Sequence, residues 1–249
     1  MYRVLLICGL LISGNLSAMD LTAVLDWQQR VELGTLVDGV VSKVNVTRGE
    51  RVSRGTLMIE LDQREVLARL AWAEARAAAA KLEKDEARRE LDRALDLYDR
   101  TLISDHERKQ AEVDAANADA MVHLADAELT QIRIERDYAR IKAPFDGIVI
   151  ALGAFPGQAL VNRLQSQPLI TLAATQRMKA LSHVSQEVAG RLETGQMVKV
   201  SVRGEWIDGE IAFIGLEPEG QEYPLEVLFT PPEQVQLRAG ETGTVRIDD

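Results

Sequence analysis

The sequence predicts an α+β multi-domain chain: a β-sandwich built from two separated halves, an α-helical coiled-coil hairpin between them, and a small antiparallel β-barrel. Three observations carry this. A short β-pattern occurs twice, as Asp38-Gly39-Val40-Val41 with Gly49 and Val52, and as Asp146-Gly147-Ile148-Val149 with Gly157 and Leu160; each matched pair stands 108 positions apart. Residues 63–138, between the copies, contain neither glycine nor proline. Residues 178–249 then alternate apolar and polar positions in short runs broken by glycine and proline, as antiparallel strands do.

In the first β-half, Val31 to Leu61, valines at 40, 41, 44 and 46 are punctuated by Gly34, Gly39, Gly49 and Gly55. Thr47-Arg48-Gly49-Glu50 reads as a tight turn, with glycine free to take positive φ. The second half, Ile141 to Ala173, turns at Gly153-Ala154-Phe155-Pro156-Gly157, and Leu169-Ile170-Thr171 echoes Leu57-Met58-Ile59. Two near-duplicates split by a long insert are expected to close on each other in space.

The insert is rich in Ala, Leu, Glu and Arg, all good helix formers. One heptad-like seam runs Val66, Leu70, Ala73, Ala77, Ala80, Ala87, Leu91, Ala94, Tyr98, with Lys84 as its polar interruption. A second is expected along Val113, Ala120, Leu124, Ala127, Ile134 and Tyr138. Three-four spacing with charged flanks indicates a coiled coil. The break is expected at Thr101 to Asp105, because Ser104 followed by Glu107 forms a capping box from which a new helix starts. An antiparallel hairpin brings Gln63 beside Tyr138 and so brings the two β-halves together.

In the last region the clearest strands are Val198 to Val202, Glu210 to Ile214, Leu225 to Phe229 and Thr244 to Ile247, with a short helix capped by Ser185. Leu21 to Leu25 is expected to join this barrel as a distant strand. The domain boundaries are therefore 1–18 for a signal segment, 31–63 and 139–174 for the sandwich, 64–138 for the hairpin, and 19–30 with 175–249 for the barrel. Arg3 followed by the apolar run Val4 to Ile12, with Ser17-Ala18 as cleavage site, reads as a secretory signal that is removed. The run is shorter than the roughly 20 residues of a spanning helix. Cys8, the single cysteine, lies inside it behind Leu6 and Ile7, where a lipidation site requires small residues, so no lipid anchor is expected.

The formal net charge of -10 argues against nucleic-acid binding, which needs clustered Lys and Arg. His106, His123 and His183 lack metal-ligand spacing, and no nucleophile elbow, phosphate loop or zinc-protease motif is present. Helix carboxylates are interleaved with Arg and Lys, as on a solvated face. Neither β-turn presents a lysine, so no lipoyl or biotinyl attachment is expected: the turns carry Thr47-Arg48 and Phe155-Pro156, and Lys43 and Lys142 fall on or before strands. No catalytic, cofactor-binding or metal-ligating residue is predicted, and the chain reads as a spacer or docking device.

The segment Gly39 to Asp62, with Gly49-Glu50-Arg51-Val52 and Gly55-Thr56-Leu57, resembles the first lipoyl-like half of a periplasmic adaptor. Ile141-Lys142-Ala143-Pro144-Phe145-Asp146-Gly147 resembles the signature that opens the second half. The family is the membrane fusion proteins that serve resistance-nodulation-division (RND) efflux pumps. The resemblance covers nearly the whole chain after the signal. It implies a split lipoyl-like β-sandwich whose turns use Gly39, Gly49, Gly55, Pro144, Gly147 and Gly157, and a terminal β-barrel. It implies a periplasmic protein that links an inner-membrane transporter to a TolC-like outer-membrane channel, without catalysis, and that self-associates into a ring. Adaptors that meet such a channel carry an Arg, a Leu four later and a Ser seven after that at the hairpin tip; Arg93, Leu97 and Ser104 have this spacing. The sequence departs from the family in stopping soon after the barrel, so the membrane-proximal domain is expected to be absent or reduced and pump contact to rest on the barrel. An adaptor for an ATP-driven exporter is the alternative reading.

Overall fold

The structure is a computed structural model that describes residues 19–161, 168–232 and 237–248. The expected signal segment 1–18, with Cys8, lies outside the described residues. Strands β1 (Met19–Trp27), β2 (Arg30–Leu33), β3 (Gly39–Val44), β4 (Arg51–Val52) and β5 (Leu57–Leu61) precede two long helices, α1 (Arg64–Asp99) and α2 (Asp105–Tyr138). Strands β6 (Arg140–Lys142), β7 (Gly147–Leu152), β8 (Ala159–Leu160), β9 (Ile170–Ala174) and β10 (Met178–Val184) follow. One turn of helix, α3 (Gln186–Ala189), leads to β11 (Met197–Val202), β12 (Glu205–Ile214), β13 (Tyr223–Phe229) and β14 (Thr242–Ile247). The chain divides into two compact units: one is Val31–Leu172, and the other takes the chain on either side of it.

In the first unit the sequence repeat becomes a reciprocal exchange of strands. The sheets are ordered β2-β9-β7-β4 and β6-β5-β3-β8, so each half lends its shortest strand to the other half's sheet. Arg51 and Val52 pair with Ile148 and Gly147; Ala159 and Leu160 pair with Val40 and Gly39. The hydrogen bonds obey the same two-fold relation. Gly49 N–H donates to the Val149 carbonyl and Gly157 N–H to the Val41 carbonyl, each at 2.8 Å. Val149 N–H donates to Glu50 at 3.0 Å, and Val41 N–H to Gln158 at 2.9 Å. Gly49 and Gly157 have φ of 87° and 88°, which a Cβ would disfavour. Gly55 also has positive φ, at 86°, and its N–H meets the Ala143 carbonyl at 2.8 Å, just before Pro144. Gly39 and Gly147 are the first residues of β3 and β7, where no positive φ is required. Asp146 accepts from the Arg54 backbone N–H at 2.7 Å, tying the second half's opening loop to a turn of the first. Between the sheets lies a core from both halves, including Val41, Met58, Ile59, Leu61, Ile141, Val149, Leu160, Ile170 and Leu172.

The helices leave this sandwich after Asp62 and return at Ala139, whose carbonyl accepts from Leu61 N–H at 2.9 Å. Thr35, buried, donates its hydroxyl to the Tyr138 carbonyl at 3.0 Å and so holds the end of α2. Helices of 36 and 34 residues span about 50 Å each. The α1 seam follows the expected register: Leu70, Ala73, Ala77 and Ala80 are buried and Val66 packs against them. The interruption Lys84 reaches across to Asp119 at 2.5 Å.

The α2 seam expected at Val113, Ala120, Leu124, Ala127, Ile134 and Tyr138 is incorrect. The buried residues are Val122, Ala125, Leu129 and Ile132, while Val113, Leu124, Ile134 and Tyr138 are exposed. Helix α2 carries two apolar stripes with the same seven-residue period, and the inner one continues toward the tip through Ala118, Ala115, Ala111 and Arg108, all half-buried.

The second unit is a closed barrel in the order β1-β10-β13-β12-β11-β14. Leu21 to Leu25 lies within β1, which pairs with both β10 and β14 and closes the ring. Alternate residues fill the interior, among them Leu25, Ala180, Val200, Val227, Phe229 and Val245. The interior is narrow: a Cβ on Gly209 would stand 2.8 Å from the Val227 side chain and 2.9 Å from that of Val200.

The corrected seam has a direct test. Leu129→Ala should lower hairpin stability by about 2–4 kcal/mol, because it opens a cavity in a packed interface. Leu124→Ala on the exposed stripe should change it by less than about 0.5 kcal/mol. Thermal melting followed by helical circular dichroism distinguishes them, and the reverse ranking restores the original seam.

Candidate functional site

The hairpin turn is built from two end signals. Helix α1 closes with paired bonds from Leu102 N–H to the Leu97 carbonyl at 2.9 Å and from Thr101 N–H to the Tyr98 carbonyl at 2.8 Å. This is the Schellman arrangement, whose left-handed residue is usually glycine. Here it is Thr101, at φ 60°, a β-branched residue in a conformation it disfavours. Helix α2 opens with a complete capping box: Glu107 N–H donates to Ser104 Oγ at 3.2 Å, and Ser104 N–H and hydroxyl both donate to Glu107 Oε2 at 2.8 Å. The Ser104 N–H, then its hydroxyl, hold the Glu107 carboxyl below its ordinary value.

Of the three expected docking residues, Ser104 therefore spends its hydroxyl on the cap. Leu97 is half-buried and its carbonyl closes α1. Arg93 is exposed and donates to Glu90 at 2.6 Å on its own helix. All three stand at the turn or within three helical turns of it. Leu102 projects from the turn with 67% of its surface exposed.

Arg108 is the tip residue that the sequence reading missed. It occupies the last seam position of α2, stacks 5.1 Å from the Tyr98 ring centre, and donates to Asp105 at 2.7 Å and to Glu112. Contact with Asp105 raises its pKa further. Reading back from Val122 in alternating steps of four and three would have reached it, but a search for apolar residues passes over a cation.

The histidines form no centre. His123 is 3.5 Å from Asp119, and His183 is 3.3 Å from Glu219. Among the described residues no group of three or more His, Cys, Asp or Glu is arranged to hold a metal ion, and no helix is long and apolar enough to cross a membrane. Lys43 lies in β3 and Lys142 in β6, away from the two glycine turns.

Residues 29–173 match the family described as "RND MFP, barrel-sandwich hybrid domain". The chain belongs to the RND membrane fusion proteins. It is similar to the macrolide export protein MacA of Yersinia pestis, 31% identical over 198 residues, which cover 74% of this chain and 53% of that protein. It is also similar to the multidrug resistance protein MdtA of Escherichia coli O45:K1, 28% identical over 119 residues, or 48% and 29% of the two chains. The chain thus spans about half the length of the MacA proteins it matches, 53% and 58% for two of them. Among solved structures, the membrane fusion protein Spr0693 of Streptococcus pneumoniae R6 shares the fold at TM-score 0.72 and 16% identity, over 93% of this chain and 99% of that one. A MacA-MexA chimera carrying the Pseudomonas aeruginosa MexA α-hairpin shares it at TM-score 0.72 and 22% identity, over 94% and 81%.

As a membrane fusion protein with a strained turn, the chain should respond oppositely to two tip substitutions. Thr101→Gly should raise hairpin stability by about 1 kcal/mol, by relieving the left-handed threonine. Ser104→Ala should lower it by about 1 kcal/mol, by removing the cap. Because the Glu107 carboxyl is depressed in the folded state, its contribution is present above an unfolded value near 4.5 and is lost as pH falls through the folded value. Melting curves across that range should converge for the parent and Glu107→Gln at the acid end.

Proposed function

We propose that the chain is a non-catalytic periplasmic adaptor that links an inner-membrane RND efflux transporter to a TolC-like outer-membrane channel. The observation that carries this reading is the hairpin itself: about 50 Å of paired helix, rooted by main-chain hydrogen bonds in an exchanged-strand sandwich and ending in a closely capped turn. Such a rod sets a distance. Arg93, Leu97 and Leu102 supply a cation and apolar surface at its far end, and Ser104 fixes the turn's shape. Membership of the membrane fusion proteins supports the same reading.

Self-association into a ring is supported by the outward faces of the hairpin. Helix α1 carries Trp72, Ala75, Ala79 and Leu82 on the side away from the seam, with Trp72 and Leu82 exposed. Helix α2 carries Ala120, Leu124, Ala127 and Ile134 on its own far side, also exposed. The cross-hairpin pairs Arg69–Glu135, at 2.8 Å, and Arg76–Glu128, at 2.9 Å, set the two stripes at the same height. One copy's α1 stripe can then lie against the next copy's α2 stripe, a head-to-tail contact that closes when the rotation divides the circle.

A second reading, an adaptor for an ATP-driven exporter with macrolides as cargo, is favoured by the longer match to the macrolide export proteins: 74% of this chain, against 48% for the multidrug resistance protein. It uses the hairpin in the same way and differs in the energy source.

In cells that depend on this adaptor for export, Arg93→Asp should abolish drug resistance while secretion and helical content stay unchanged. Unaltered resistance across several drugs would sink the tip assignment. Collapse of the proton gradient with ATP maintained should stop export through an RND pump and spare an ATP-driven one. Trp72→Glu with Leu124→Glu should leave the monomer's melting temperature within a few degrees of the parent and weaken self-association measured by sedimentation. Unchanged sedimentation removes the stripes from the ring.

A further inference from the structure

The ion pairs of the hairpin are distributed unevenly. Every described pair that crosses from one helix to the other lies between the root and Lys84: Arg69–Glu135, Arg76–Glu128, Glu74–Arg133, Lys81–Asp126 and Lys84–Asp119. Beyond Lys84 the described pairs stay within one helix, as in Arg88–Asp92, Glu90–Arg93 and Asp96–Arg100. Along one edge, positions seven apart explain the change. Arg69 faces Glu135 and Arg76 faces Glu128; the same register continued toward the tip sets Glu83 against Met121 and Glu90 against Asp114. The ladder changes from opposite charges to like charges at that point.

The edge opens there into a groove of about 570 Å³ lined by Glu83, Glu86, Ala87, Glu90, Ala94, Glu107, Gln110, Ala111 and Asp114. Its walls hold five carboxylates and no lysine or arginine, and its apolar floor is three alanines. Glu86 and Glu90 pair with Arg89 and Arg93 on their own helix, Glu107 accepts from Ser104 and Asp114 from Gln110 at 2.9 Å; among the described residues Glu83 pairs with no cation. The seam beneath, at Ala87, Leu91, Ala94, Ala111 and Ala115, is half-buried, whereas its root counterparts are buried.

We infer that this groove seats a basic α-helix of a partner protein, with Arg or Lys at seven-residue spacing, as the third member of a three-helix arrangement. Glu83 and Glu90 on one wall, and Glu107 and Asp114 on the other, repeat at seven residues, about 10.5 Å along a helix. A helix lying along the groove with cations at the same period meets Glu83 on one wall, then Glu90 and Asp114 on both, then Glu107 on the other. The alanine floor lets its axis come close, and the aliphatic stems of its Arg or Lys residues cover that floor. The incoming helix supplies the cations that Arg69 and Arg76 supply nearer the root. The inference rests on the proposed function only in taking the far half of the hairpin as the place where a partner is met.

The test titrates a labelled alanine-rich helical peptide, about three heptads long with Arg at every seventh position, into the full chain. The control peptide has the same composition with its Arg residues spread around the helix. The seven-spaced peptide should bind at least tenfold more tightly than the control, and its affinity should fall as salt rises. Asp114→Lys should reduce that affinity at least tenfold without lowering the melting temperature, because the new cation completes the ladder with Glu90. Glu217→Lys, an equal charge change on the barrel unit, should have no effect. Equal binding of the two peptides, equal loss in Glu217→Lys, or sedimentation showing that Asp114→Lys instead disrupts self-association each overturns the inference, the last by assigning the groove to a second copy. If Arg93→Asp spares export while peptide binding stands, the tip assignment fails and the groove remains. If Arg93→Asp abolishes export and the peptide does not bind, the groove fails alone.

Discussion

The reciprocal strand exchange in the sandwich is the constraint on which the rest depends. Neither half completes its sheet alone: β3 needs β8 and β7 needs β4. Closure requires Gly49 to reach Val149 and Gly157 to reach Val41. The residues between the halves must therefore leave and return at one place, where Leu61 and Ala139 are hydrogen-bonded. An insert of strong helix formers under that boundary condition has one economical solution, two arms of nearly equal length joined by a short turn. The 36- and 34-residue helices are the consequence.

The exchange also explains why so much of this unit was legible in the sequence. A two-fold relation in space requires the same residue types at the same offsets, and the 108-residue interval carries through to strand boundaries: Gly39–Val44 matches Gly147–Leu152, and Arg51–Val52 matches Ala159–Leu160. The capping box at Ser104 was legible because its chemistry is local and needs only two residues at fixed spacing. The α2 seam was not. Two stripes of the same period run along that helix, and sequence periodicity alone does not say which one meets α1. The deciding information sits in the partner helix, where Arg69, Arg76, Lys81 and Lys84 find acids only if Val122, Ala125, Leu129 and Ile132 face inward. Arg108 stayed hidden because it lies on the inner stripe, which is not the one expected from the sequence, and because a cation does not register in a search for apolar seam positions; in the structure it stacks on the Tyr98 ring.

Magnitudes separate what holds the hairpin from what aligns it. Each cross-hairpin ion pair is substantially exposed, and such pairs contribute about 0–1 kcal/mol. Five of them do not outweigh the burial of Leu70, Leu129, Ile132 and the alanines around them, since one fully buried leucine contributes about 1.5–3 kcal/mol. The ion pairs select the register. A one-heptad slip would leave the seam apolar but set Arg76 against Glu135 and leave Arg69 without an acid across the edge. Apolar packing thus supplies the stability and charge supplies the alignment. Both weaken past Lys84, where the seam becomes half-buried and the described charges pair within each helix and not across the hairpin.

That gradient bears on how an adaptor assembles. The root half is buried, charge-paired and tied to the sandwich through Thr35, so it fixes where the rod points. The tip half keeps its helices through capping and alanine propensity more than through packing, and so retains surface for a partner. In the proposed ring each lateral contact draws on a few side chains, such as Trp72 and Leu82 against Leu124 and Ile134. Closure changes the arithmetic, because the last contact in a ring forms within an assembly that already exists. Under the proposed function the chain is monomeric when dilute and assembles where its partners gather it, and the inferred groove is engaged when the far partner arrives.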